Sequence, residues 1–157
     1  FGGQKAYTRK EAMEHFLQAL ALKPDFAEVH NNIGNAFLRQ GEFEEARVSY
    51  TEALKLNPDF TQAHSSLGFV LAEQGQLEEA TVHYVQALQL NPHIAEVHNN
   101  LANALATQGK LDEAISHYHK ALQLNPDFAD ARRNLAVVLS QQGKLDEAAP
   151  HLEAAGE

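Results

Sequence analysis

The chain has 157 residues, a formal net charge of −9, and 44% hydrophobic against 21% charged residues, a balance suited to a folded core. That acidity argues against a nucleic-acid partner, whose phosphates call for a basic stripe, and no apolar run approaches the roughly eighteen residues that a membrane span needs. The absence of cysteine removes disulfides and thiolate chemistry.

Residues 1–26 read as a partial first unit, in which Ala12 and Phe16 occupy positions that return later and "ALALKPDF" forms the close. The chain opens on Phe1, as a processed or excised chain would, and a cytoplasmic location is the default expectation. The next unit, 27–60, starts "AEVHNNIGNAFLRQGEFEEA" and ends in "ALKLNPDF". Unit 61–94 starts "TQAHSSLGFVLAEQGQLEEA" and ends in "ALQLNPHI"; unit 95–128 starts "AEVHNNLANALATQGKLDEA" and ends in "ALQLNPDF". An incomplete unit, 129–157, finishes the chain. Pro24, Pro58, Pro92 and Pro126 recur every 34 residues without an insertion or deletion, so 1–157 reads as one domain of internal repeats.

Each unit carries two helical rhythms. In the third, Val97, Leu101, Ala104 and Leu105 follow spacings of three and four; Gly109 interrupts, and Leu111, Ala114, Ile115, Tyr118, Ala121 and Leu122 resume. The glycine column predicts a left-handed exit from the first helix. The Asn-Pro column predicts the end of the second. Small residues (Gly34, Gly68, Ala102, Ala136) face bulk (Tyr50, Tyr84, Tyr118), so two helices pack closely within a unit and units must stack to cover what remains. Pro150 is expected to kink or fray the last helix. Leu135, Leu139, Leu145 and Leu152 are expected to leave an apolar C-terminal end, suited to end-to-end self-association.

These columns resemble the tetratricopeptide repeat: a small residue at the eighth position, glycine at the fifteenth, alanines at the twentieth and twenty-seventh, proline at the thirty-second. The match runs from about Ala6 to Ala155; His30, His64, His98 and Arg132 stand where the family often has tryptophan. The resemblance implies an all-α, right-handed superhelical solenoid of antiparallel helix pairs, its concave side lined by first helices that hold peptides or partner proteins. Placing Ile33, Gly34 and Phe37 inward leaves Glu28, Asn31, Asn32 and Asn35 outward; the same offsets give Ser66, then Glu96, Asn99, Asn100 and Asn103, then Asn134. Asparagine is a mediocre helix former, so a column of it asks for a reason. One amide offers a donor and an acceptor to an extended peptide backbone. The column is similar to the asparagine ladder in the tetratricopeptide region of O-GlcNAc transferases, with Ser66 breaking it.

The expected function is therefore a scaffold holding a neutral or basic extended segment in the groove. The alternatives are a substrate-recruiting arm of a larger enzyme such as a glycosyltransferase, or a self-assembling structural scaffold. The carboxylate clamp of some relatives needs groove lysine and arginine, and Asn31, Asn35, Ser66, Glu96 and Asn100 stand there instead. No phosphate loop, nucleophile elbow or His-Glu-x-x-His string occurs, so no enzyme, cofactor or metal role is expected. The histidine columns read as packing or surface residues, and "EFEEA" and "KLDEA" as dipole-complementing helix starts.

Overall fold

A computed structural model describes residues 26–155 together with Glu14 and Gln18, with the other side chains described through His151. The partial unit expected over 1–26, with Ala12 and Phe16, otherwise lies outside the described residues. Eight helices follow in pairs: α1 (Ala27–Leu38) with α2 (Phe43–Leu56), α3 (Thr61–Glu73) with α4 (Leu77–Leu90), α5 (Ala95–Thr107) with α6 (Leu111–Leu124), and α7 (Ala129–Gln141) with α8 (Leu145–Ala155). The described part is all-α, a solenoid of paired antiparallel helices.

The turns carry the signals that the repeats predict. Gly75 takes φ +76 after α3, where a side chain would be strained; its amide donates to Ala72 O and the Gln76 amide to Leu71 O, so carbonyls at the helix end are satisfied. The other column glycines repeat this conformation. Asn57, Asn91 and Asn125 follow α2, α4 and α6, and each Oδ1 accepts from the amide two residues on, fixing the turn around the proline. α8 continues past Pro150 to Ala155.

The core is one continuous stripe of small and large residues. Tyr50, Tyr84 and Tyr118 are buried against the preceding helix, and a Cβ added at Gly34 would stand 2.6 Å from the Tyr50 ring. The ring thus lies directly on the α1 backbone. Ala46, Ala80 and Ala114 are fully buried at the same crossing. Two of the leucines expected at an open C-terminal end, Leu135 and Leu139, are buried, because α8 covers that face of α7. Leu145 is exposed, and the Leu152 side chain lies outside the described residues.

Neighbouring pairs do not contact symmetrically. α1 touches α3, α3 touches α5 and α5 touches α7, whereas none of the second helices touches the next second helix among the described residues. A stack that is close along one side and splayed along the other curves, so the first helices line its inner face.

Candidate peptide groove

The inner face carries the amides, but their roles divide by depth. Asn32 is exposed and makes no hydrogen bond with a described residue; Asn35, Ser66, Asn100, Asn103 and Asn134 are partly buried; Glu28 and Glu96 are exposed at helix starts. Asn31 and Asn99, expected on the exposed side, are instead buried at 4% and 5% exposure. The next first helix packs over them, which a single-helix reading cannot anticipate.

Asn35 and Asn103 are anchored from behind. The Tyr50 hydroxyl donates to Asn35 Oδ1 at 2.8 Å and the Tyr118 hydroxyl to Asn103 Oδ1 at 2.6 Å. Burial pushes both phenols above their ordinary value, Tyr118 to about 12, so they remain neutral donors. Asn134 Nδ2 then donates to Asn103 Oδ1 at 3.0 Å and to Asn99 Oδ1 at 3.4 Å, while Asn99 Nδ2 donates to Asn100 Oδ1. The result is an amide network joining the third and fourth helix pairs. Its counterpart in the first two pairs is thinner: Ser66 stands in place of asparagine near the Tyr50 hydroxyl, and the buried Asn31 Oδ1 has no partner among the described residues.

This tethering decides what the groove offers. Where Oδ1 is occupied, Nδ2 is the free end, so Asn35, Asn100 and Asn103 present donors held in place, and exposed Asn32 presents both ends.

Sequence reasoning missed the middle rung. At the position of Asn35 and Asn103 the second pair has Phe69, and the Tyr84 hydroxyl consequently makes no hydrogen bond with a described residue. Phe69, Tyr84 and Glu73 line an open pocket of about 200 Å³ with Asn100, Asn103 and Thr107. Tyr84 read as a core filler; the signal available was the Asn, Phe, Asn, Val order of residues 35, 69, 103 and 137.

The histidines pair within a unit. His64 Nδ1 lies 3.0 Å from His83 Nδ1, and His98 Nδ1 3.0 Å from His117 Nδ1. His64 Nε2 lies 2.9 Å from Pro58 O, and His98 Nε2 3.1 Å from Pro92 O. A carbonyl only accepts, so Nε2 carries the proton; Nδ1 of each neutral His64 and His98 is then an acceptor, and His83 and His117 must donate. Among the described residues no group of three or more His, Cys, Asp or Glu could hold a metal ion, and no helix is long and apolar enough to cross a membrane.

Comparison with known proteins agrees with this architecture. A crystal structure of MamA superposes with a TM-score of 0.87 at 22% identity, over 94% of this chain and 86% of that one. MamA from Desulfovibrio magneticus gives 0.87 at 21%, over 94% and 83%. YrrB, described as a TPR protein with an unusual peptide-binding site, gives 0.81 at 26%, over 94% and 76%. No curated protein matches in sequence. None of these comparisons points specifically to O-GlcNAc transferases. The family profile described as "Cilia and flagella-associated protein 70 C-terminal domain", a tetratricopeptide family, matches residues 4–157, and the chain belongs to that family.

Proposed function

We propose that the chain is a single binding module that holds an extended, neutral or basic peptide segment along the inner face of its first helices. The observation that carries this reading is the row of amides tethered through Oδ1, which leaves Asn35, Asn100 and Asn103 Nδ2 aimed away from their tyrosine or asparagine anchors. Backbone carbonyls of a strand are the natural acceptors for such donors, whatever side chains the strand carries. Helices stack at roughly 8–10 Å and a strand rises about 3.3 Å per residue, so one rung serves about every third residue. The net charge of −9, with exposed Glu28, Glu96 and Asp130 at the helix starts, favours a partner without excess negative charge. YrrB, at 26% identity, is described as having a peptide-binding site, which supports the same use here.

The test is selection of displayed random twelve-residue peptides on the immobilised chain. Selected peptides should lose binding to an Asn32→Ala/Asn100→Ala variant and keep it on a Val48→Ser/Val82→Ser variant, which alters exposed residues on the outer helices α2 and α4. The reverse pattern would move the binding face to the outer helices and end the proposal.

A further inference from the structure

From the pocket between the second and third helix pairs, we infer that the groove has one side-chain-reading position there, built to take an arginine of the bound segment. This rests on the groove reading above. The same tyrosine occurs in three successive units, and in two of them an asparagine accepts its hydroxyl proton. In the middle unit Phe69 replaces that asparagine; its ring cannot serve as the amide does, and it stands 36% exposed over the opening. Tyr84 is only 1% exposed, yet its hydroxyl lines the pocket with no hydrogen-bond partner among the described residues. Unlike Asn31 Oδ1 and Gln108 Nε2, which are enclosed without a partner, this hydroxyl is open to the pocket, where a donor or acceptor of a bound segment can meet it.

The rest of the wall says what that something is. Glu73 brings a carboxylate close enough to Tyr84 to reinforce what burial already does, holding the phenol above its ordinary range. Thr107 Oγ1 spends its own proton on Asn103 O at 2.9 Å and so offers only lone pairs. Asn103 Oδ1 is occupied by the Tyr118 hydroxyl. No cationic residue lines the pocket. The Asn100 and Asn103 Nδ2 donors on this wall serve the segment's backbone carbonyls, and what remains for a side chain, the Glu73 carboxylate, the Thr107 oxygen and the Phe69 ring, suits a guanidinium, which has five donors and no acceptor and stacks on rings. The neighbouring units confirm the contrast: the position of Glu73 is Arg39 in the first, acting on Tyr50, and Thr107 in the third.

The test uses two probes, a capped nine-residue Ala/Ser peptide with one central arginine and its twin with citrulline, which has the same shape and no charge. Both are titrated into nitrogen-15-labelled chain and followed by NMR. The arginine peptide should bind about tenfold more tightly, as a charge-assisted pair in a partly enclosed site does. That preference should fall to about twofold or less in Glu73→Gln and in Phe69→Asn, the latter giving Tyr84 the partner that Asn35 and Asn103 already provide elsewhere. Both variants should still bind the citrulline peptide. Equal binding of the two peptides, with shifts along Asn32 and Asn100, overturns the arginine position and leaves the groove standing. Retention of the preference in both variants also overturns it. Absence of shifts with either peptide overturns both readings.

Discussion

Lowering the pH should loosen the third helix pair through His117. In the folded chain its imidazole is pushed down to about 4, chiefly by burial and then by Lys120 and His98, against an ordinary value of 6.5. The folded state therefore binds fewer protons than the unfolded one between these values. Stability is full above about pH 6.5, declines as the pH falls toward 4, and levels off below that. The hydrogen-bond order explains the cost: His98 keeps its proton on Nε2 facing the Pro92 carbonyl and His117 keeps one on Nδ1, so a third proton in the pair lands on His98 Nδ1, facing another N–H, or on Nε2 of the half-buried His117 ring. Between pH 7.5 and 5 the linkage gives about 2 kcal/mol for a fully enclosed ring, and about 1 kcal/mol once solvent screening of this half-buried group is included. Urea unfolding at the two pH values, for the unaltered chain and for His117→Gln, measures it. Glutamine keeps an N–H for His98 Nδ1 and cannot titrate, so the pH-dependent loss should shrink by about 1 kcal/mol. His83, depressed by burial and by His64, supplies a remainder of the same sign. Equal pH sensitivity in the two chains, or NMR detection of the neutral His117 proton on Nε2, would refute the reasoning.

Two glycine substitutions should separate two mechanisms. Gly34→Ala drives a methyl to 2.6 Å from the Tyr50 ring and should cost about 1–3 kcal/mol by overpacking, read from the urea midpoint. Gly75→Ala meets nothing within 4 Å but must hold φ +76, and should cost about 1 kcal/mol. Asn103→Ala strips a partner from both the Tyr118 hydroxyl and Asn134 Nδ2 and should cost about 1–3 kcal/mol, whereas Asn32→Ala should stay within about 0.5 kcal/mol by the same measurement. Tyr118→Phe, which removes the donor and leaves an acceptor that a peptide or water can reach, should cost only about 0.5–1.5 kcal/mol in thermal melts.

Much of the fold was legible because the repeat is undisturbed. Equal spacing of proline, glycine and the small-residue columns announces equal hairpins, and each column's residue type matches a local demand that the structure displays: φ +76 at Gly75, an Asx turn at Asn91, a ring lying on Gly34. The inner face was less legible. Helical periodicity treats a helix alone, and Asn31 and Asn99 become buried only when the next pair stacks. The Tyr–Asn links span 15 residues and the His pairs 19, separations set by how two helices cross, which no one-helix pattern encodes. Pairing those columns makes Phe69 stand out: it sits where its tyrosine needs an acceptor.

The three junctions between helix pairs are therefore unlike in kind. Gln74 reaches back to Glu44 across the first and Gln142 to Asp112 across the third, and each of these also has an amide or hydroxyl meeting the tyrosine cluster. At the middle junction Gln108 Nε2 is enclosed and makes no such reach, and the Tyr84 hydroxyl, open to the pocket, has no partner among the described residues. Among the described residues, beyond the turn contacts that all three share, no side-chain hydrogen bond crosses the centre, and cohesion there comes from apolar contact, a force that fades on cooling. A chilled molecule would then part first at its waist, opening where Phe69 stands.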